Sequence, residues 1–203
     1  MLRLIREAAS PAERLAPLRQ VVLDELHDAA VFIQTTNTTL RIHDCAFIGT
    51  ASATSAVNDA IVLGGTDSTG HGGALSTSPF QGYGSVIRDN FFSKIRVAVR
   101  FRSAANAVSF TNNTISKDCG SSAADGAPIV LTGAASEQAR GNYIAGNCIE
   151  AYNYAYGVNI EAGGLSNLFI GNTIWDKGPS AVGAYYVQQG GNTIIGWTDA
   201  YGA

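Results

Sequence analysis

Two apolar patterns alternate along this chain from Ala30 onward. The first is a short extended stretch with two apolar residues separated by one position. Val31/Ile33, Ile61/Leu63, Val99/Phe101, Ile129/Leu131, Val158/Ile160 and Ala184/Tyr186 all follow it. The second reads apolar, two residues, usually Asn, one residue, apolar. Ile87-x-x-Asn90-x-Phe92, Phe110-x-x-Asn113-x-Ile115, Ile144-x-x-Asn147-x-Ile149 and Phe169-x-x-Asn172-x-Ile174 obey it, and Ile42-x-x-Cys45-x-Phe47 does so with Cys for Asn. The first pattern recurs at spacings of 30, 38, 30, 29 and 26 residues, the longest holding a polar insertion, Asp67 to Gly84. Strands this short cannot form a stable sheet alone, but stacked coil on coil they pair in parallel and bury a continuous core. An inward Asn at each turn tolerates left-handed geometry, and its amide can bond the amides above and below. Cys45 ends that ladder as a small buried residue.

The first 29 residues differ, with five acids, four basic residues and no glycine. Ser10-Pro11-Ala12-Glu13 reads as a capping box, and Leu15, Leu18, Val22, Leu26 and Ala29 make an apolar stripe at helical spacing. Pro17 kinks or restarts that helix. The pattern therefore predicts a short α-helical cap or neck over residues 1–29 and an all-β domain over residues 30–203.

The repeat with its Gly-rich turns resembles the right-handed, single-stranded parallel β-helix of the pectate-lyase-like superfamily, over roughly residues 30 to 196. The resemblance implies an all-β fold of about six or seven irregular coils. It is specific for architecture and weak for activity, because the fold carries lyases, hydrolases, epimerases and adhesins. A β-helix preceded by a helix also resembles bacteriophage tailspikes and receptor-binding spikes. That likeness implies a spike or fibre protein, usually a homotrimer within a larger virion assembly, recognising host surface polysaccharide at the virion surface or outside the cell. The alternative is a polysaccharide-degrading glycoside hydrolase or lyase on the same scaffold. The chain departs from spikes in lacking a Gly-rich start and a Val-Tyr-Val-Pro-like strand.

Composition narrows these classes. The 203 residues carry 13 basic and 16 acidic side chains, a formal net charge of −3, so no basic patch points to nucleic acid. Charged residues are 14% of the chain and hydrophobic ones 46%, which argues against disorder. No apolar run reaches membrane-spanning length, and Glu7 interrupts an N-terminus that does not read as a secretory signal. Cys45, Cys119 and Cys148 make no CxxC pair, His27, His43 and His71 make no ligand spacing, and neither metal nor cofactor is expected. Gly70-His71-Gly72 echoes one polygalacturonase motif whose companion motifs are missing.

Candidate chemistry lies on outward positions. Phe32, Val62, Arg100, Val130, Asn159 and Tyr185 form one outward column, four of them apolar or aromatic, which predicts a side-by-side oligomer contact. Arg100 and Arg102 could grip an acidic sugar. Glycoside hydrolysis needs two carboxylates about 5 to 9.5 Å apart. Glu150 and Asp176 leave the same edge on adjacent coils and are the candidate catalytic pair, or else two exposed acids on neighbouring loops. Tyr152, Tyr154 and Trp175 beside them would stack sugar rings, and Asn159 with Glu161 makes a second candidate binding surface. Alternation puts Tyr152, Tyr154 and Tyr156 on one side of an extended segment, as a carbohydrate platform or a subunit contact.

Overall fold

The computed structural model describes residues 21–22, 29–33, 39–49, 59–64, 81–102, 105–116, 127–132, 139–161, 163–175, 183–188, 190–196 and 198–200. These residues build a parallel β-helix. Strand β1 (Val21–Val22) comes first and opens one of the sheets. Six coils follow, each visiting three sheets, B, C and A, in that order. Coil one holds β2 (Ala29–Ile33), β3 (Arg41–His43) and β4 (Ala46–Ile48). Coil two holds β5 (Asp59–Leu63), β6 (Gln81–Arg88) and β7 (Phe91–Ser93). Coil three holds β8 (Val97–Phe101), β9 (Asn106–Thr111) and β10 (Thr114–Ile115). Coil four holds β11 (Ile129–Leu131), β12 (Ala139–Arg140), β13 (Tyr143–Ala145) and β14 (Cys148–Glu150). Coil five holds β15 (Tyr156–Ile160), β16 (Gly164–Leu165), β17 (Leu168–Ile170) and β18 (Thr173–Trp175). Coil six holds β19 (Gly183–Val187), β20 (Thr193–Ile195) and β21 (Thr198–Ala200). Every strand pairs in parallel with its counterpart one coil away, and β12 pairs with β16.

The predicted columns stack in register. Ile42, Ile87, Phe110, Ile144 and Phe169 align on sheet C, and Phe47, Phe92, Ile115, Ile149 and Ile174 align on sheet A, all of them buried. Phe47 stacks on Phe92 with ring centroids 4.9 Å apart. Identical positions fill identical places one coil on, so the core is a set of columns perpendicular to the strands.

Between sheets C and A the chain turns through one left-handed residue, Asp44, Asp89, Asn112, Gly146 or Gly171, followed by the ladder position. Gly146 suits this turn: its φ is +65°, and a Cβ there would come within 2.6 Å of Asn112 Oδ1, so the Asn112 side chain would have to move. Asn147 Oδ1 accepts from Asn113 N–H (3.0 Å) and from Asn113 Nδ2 (3.0 Å), while Asn147 Nδ2 donates to Phe110 O and to Asn172 Oδ1. Asn90 and Asn113 repeat this arrangement, and Cys45 N donates to Asn90 Oδ1 at the ladder's end. A second ladder, Asn142–Asn167–Asn192, runs along the start of sheet C with the same bonds.

Three expectations change. Val21–Val22, placed in the helical cap, pairs in parallel with Phe47–Ile48, and Ala29 opens β2. Two adjacent β-branched residues suit a strand that extends sheet A better than a helix. The remainder of residues 1–28 lies outside the described residues. In coil six the register is one residue off the expected one: Val158 pairs with Tyr185 and Asn159 with Tyr186. A one-residue slip exchanges faces, so Tyr185 points inward, meeting Phe169 edge-on at 5.7 Å, and Tyr186 points outward. Third, the outward apolar stripe is not an exposed contact surface, because Val62 and Val130 are fully buried. The side chain of Phe32 lies outside the described residues.

Asn147→Ala would leave two donors of Asn113 and the Phe110 carbonyl without that partner. Urea unfolding should show a loss of about 3 kcal/mol, against about 1 kcal/mol or less for Asn112→Gly on the exposed turn. An equal, small effect of both would mean the ladder contributes little.

Candidate functional site

On sheet A, residues flanking the inward column face outward. One outward column runs Ala46, Phe91, Thr114, Cys148 and Thr173, and the other includes Ile48, Ser93, Glu150 and Trp175. Glu150 and Trp175 are therefore direct cross-coil partners. The Trp175 indole N–H donates to Cys148 Sγ at 3.2 Å, which lays the ring across both columns on the outer face. Trp175 is 36% exposed, Tyr152 46%, and Glu150 half-buried. The face thus joins an indole fixed in place, a carboxylate beside it and the hydroxyl of Thr173.

Tyr154 does not join them. Tyr154 N donates to Ala151 O, closing a turn where an extended segment was expected, and the ring goes into the core. Its hydroxyl donates to Arg96 O at 2.7 Å and it is 3% exposed, so no sugar can stack on it. The turn also breaks the alternation that put Tyr152, Tyr154 and Tyr156 on one side. Asp176 lies outside the described residues. The in-register neighbour of Glu150 is an aromatic ring.

Sheet B carries the buried charges. Asp59, fully buried, accepts from Arg96 Nε at 2.7 Å and from Arg100 Nε at 2.8 Å, one guanidinium on each carboxylate oxygen. Arg100 and Arg102 are each 2% exposed, so neither can grip an acidic sugar in solvent. Pattern reading gave Arg100 and Arg102 an outward direction, which is right, but outward is not exposed on this face. Asp59 carried no repeat signal and was missed. Asn159 Nδ2 donates to Glu161 Oε1 at 3.1 Å, so the second predicted pair is in contact, with Asn159 buried and Glu161 half-buried.

Among the described residues no three His, Cys, Asp or Glu side chains gather as metal ligands would. His43 Nδ1 meets Asp44 Oδ2 at 2.7 Å. The Cys45 thiol donates to His43 O, and burial, reinforced by Asp44 nearby, pushes its pKa up. No described helix is long and apolar enough to cross a membrane.

A family model described as periplasmic copper-binding protein (NosD) matches residues 19–196. The chain belongs to the NosD family. That span takes in β1 and all six coils up to the last sheet-C strand, so the NosD match follows the stacked core. Nothing in it points to a tailspike or a virion. No curated protein and no solved structure matches this NosD-family chain.

Two outcomes test the geometry. Asp59→Ala removes the carboxylate shared by two buried guanidinium groups and should cost about 3–5 kcal/mol of stability, against under about 1 kcal/mol for Arg88→Ala at the exposed Arg88–Asp89 pair. Burial pushes the Tyr185 hydroxyl up to about 12 despite its hydrogen bond with Asn172. Because this folded value lies above the ordinary 10, the contribution is full below pH 10 and is lost as pH rises towards 12. Unfolding of wild type and Tyr185→Phe across that window should show the wild type alone losing this increment.

Proposed function

We propose that this NosD-family β-helix is a non-catalytic recognition protein that binds polysaccharide along the outer face of sheet A. The supporting observation is the in-register pairing of Glu150 with an exposed, hydrogen-bonded Trp175, with Thr173 in the adjoining column and Tyr152 exposed two residues after Glu150. Pyranose C–H groups pack on an indole face, and a carboxylate accepts hydrogen bonds from sugar hydroxyls. Parallel coils repeat about every 4.8 Å, roughly the length of one pyranose ring, so a chain lying along the helix axis meets the columns in sequence.

The carboxylate also sets the sugar class. Glu150 accepts hydrogen bonds and repels another carboxylate, and Arg100 and Arg102 are buried. On this reading neutral or amino sugars are preferred to uronates. Recognition is the reading we favour because the register partner of Glu150 is Trp175, an exposed ring on which a sugar can stack.

Copper, named in the family's description, does not fit the described residues. The Cys45 thiol is buried and donates to His43 O, His43 is bonded to Asp44, and among the described residues no third ligand stands by. The family's periplasmic description suits a protein that meets cell-envelope or extracellular polysaccharide.

Titration calorimetry with neutral and uronate oligosaccharides tests the reading. Trp175→Ala should weaken neutral-sugar binding about tenfold or more, which is about 1.4 kcal/mol, and Glu150→Gln about threefold. Neither protein should release new reducing ends. Unchanged affinity in Trp175→Ala, or turnover abolished by Glu150→Gln, would contradict it.

A further inference from the structure

Among the described residues the outward column of sheet B is closed over coils two to five and open at coil six. Val62, Arg100 and Val130 are 0 to 2% exposed and Asn159 is 6%, yet Tyr186, next in the same column, is 39% exposed. Beside that column Arg102 is buried, Glu161 half-buried and Gln188 exposed. The surface therefore steps down between coil five and coil six. Two rings stand at the step: Tyr156 and Tyr186 lie with centroids 5.1 Å apart at 37°. Tyr156 pairs in register with Gly183, three residues before Tyr186. Asn159, the register partner of Tyr186, donates from its side-chain amide to the carboxylate of Glu161 two residues further along the same face.

We propose that this step is a second, separate sugar-binding surface, formed by Tyr156, Tyr186, Asn159 and Glu161, and that one protein chain thereby holds two polysaccharide strands. The proposal rests on the reading above for the kind of ligand: pyranose rings on aromatic faces, with a carboxylate accepting from hydroxyls. The chemistry repeats that of Trp175 with Glu150, so neutral or amino sugars are again preferred to uronates. The two surfaces lie on different sheets, β18 of coil five on A and β19 of coil six on B. One straight glycan cannot lie on both. The protein is then a bridge between strands.

The test is calorimetric stoichiometry with three hexasaccharides: β-linked glucose, β-linked N-acetylglucosamine and α-linked galacturonate. Wild type should take two molecules of at least one neutral hexasaccharide and none of galacturonate. Tyr186→Ala and Trp175→Ala should each take one, and the double variant none. Glu161→Gln keeps the size of the side chain and an acceptor for Asn159, so the fold is spared, and it should weaken one of the two sites about fivefold. One site in wild type, lost in Trp175→Ala but kept in both Tyr186→Ala and Glu161→Gln, overturns the second surface and leaves the first. One site in wild type, lost in Tyr186→Ala but kept in Trp175→Ala, overturns the first surface and leaves the second. No binding of any of the three overturns both.

Discussion

Side-chain amides buried in columns hold this structure together. A turn between two short strands leaves backbone N–H and C=O groups inside the protein, where unpaired groups are costly. Asn90, Asn113, Asn147 and Asn172 satisfy them coil by coil. Each amide carbonyl accepts from the coil before, and each NH₂ donates to a backbone carbonyl and, as far as Asn147, to the next amide. The second ladder does the same through Asn142, Asn167 and Asn192. Bonded above and below, these residues fix the register, and register alone decides which side chains leave the helix on which face. The pairing of Glu150 with Trp175 follows from the position of both residues three places after a ladder Asn.

That dependence explains what could be read from the chain. The Asn-x-apolar spacing gave both core columns of sheets A and C, because each side chain obeys the same local rule on every coil. The second ladder carries a signal of its own, Gly141-Asn142, Ser166-Asn167 and Gly191-Asn192 at a period of 25, with the residue before each Asn left-handed. The last coil went astray where no ladder residue anchors the reading: Ala184, Tyr185, Tyr186 and Val187 are all plausible inward residues, and only pairing with Val158 decides. Tyr154 was misplaced because period-2 logic holds for strands, and residues 151–154 form a turn.

Exposure was less legible than direction. Outward residues of sheet B are buried from coil two to coil five, so Arg100 looks like a ligand by direction and is an ion-pair partner of Asp59 by environment. A carboxylate shared by two guanidinium groups from the next coil locks coil two to coil three, and removing it would take the shared counter-charge from both. The proposed sites sit where such closure is absent, at Trp175 on sheet A and at Tyr186 on sheet B. The stacked coils supply a rigid base there, and rigid aromatic platforms lose little conformational freedom on binding.

Sugar recognition is tested most directly by following the Trp175 indole N–H in a ¹⁵N–¹H spectrum while a neutral oligosaccharide is added. If the face of sheet A binds sugar, this signal shifts with saturation, together with backbone amides of Cys148, Glu150 and Thr173, while the buried Asn147 and Asn142 side-chain amides stay in place. A stationary Trp175 signal under saturating sugar, or shifts confined to Arg41 and Arg88 on sheet C, would contradict it.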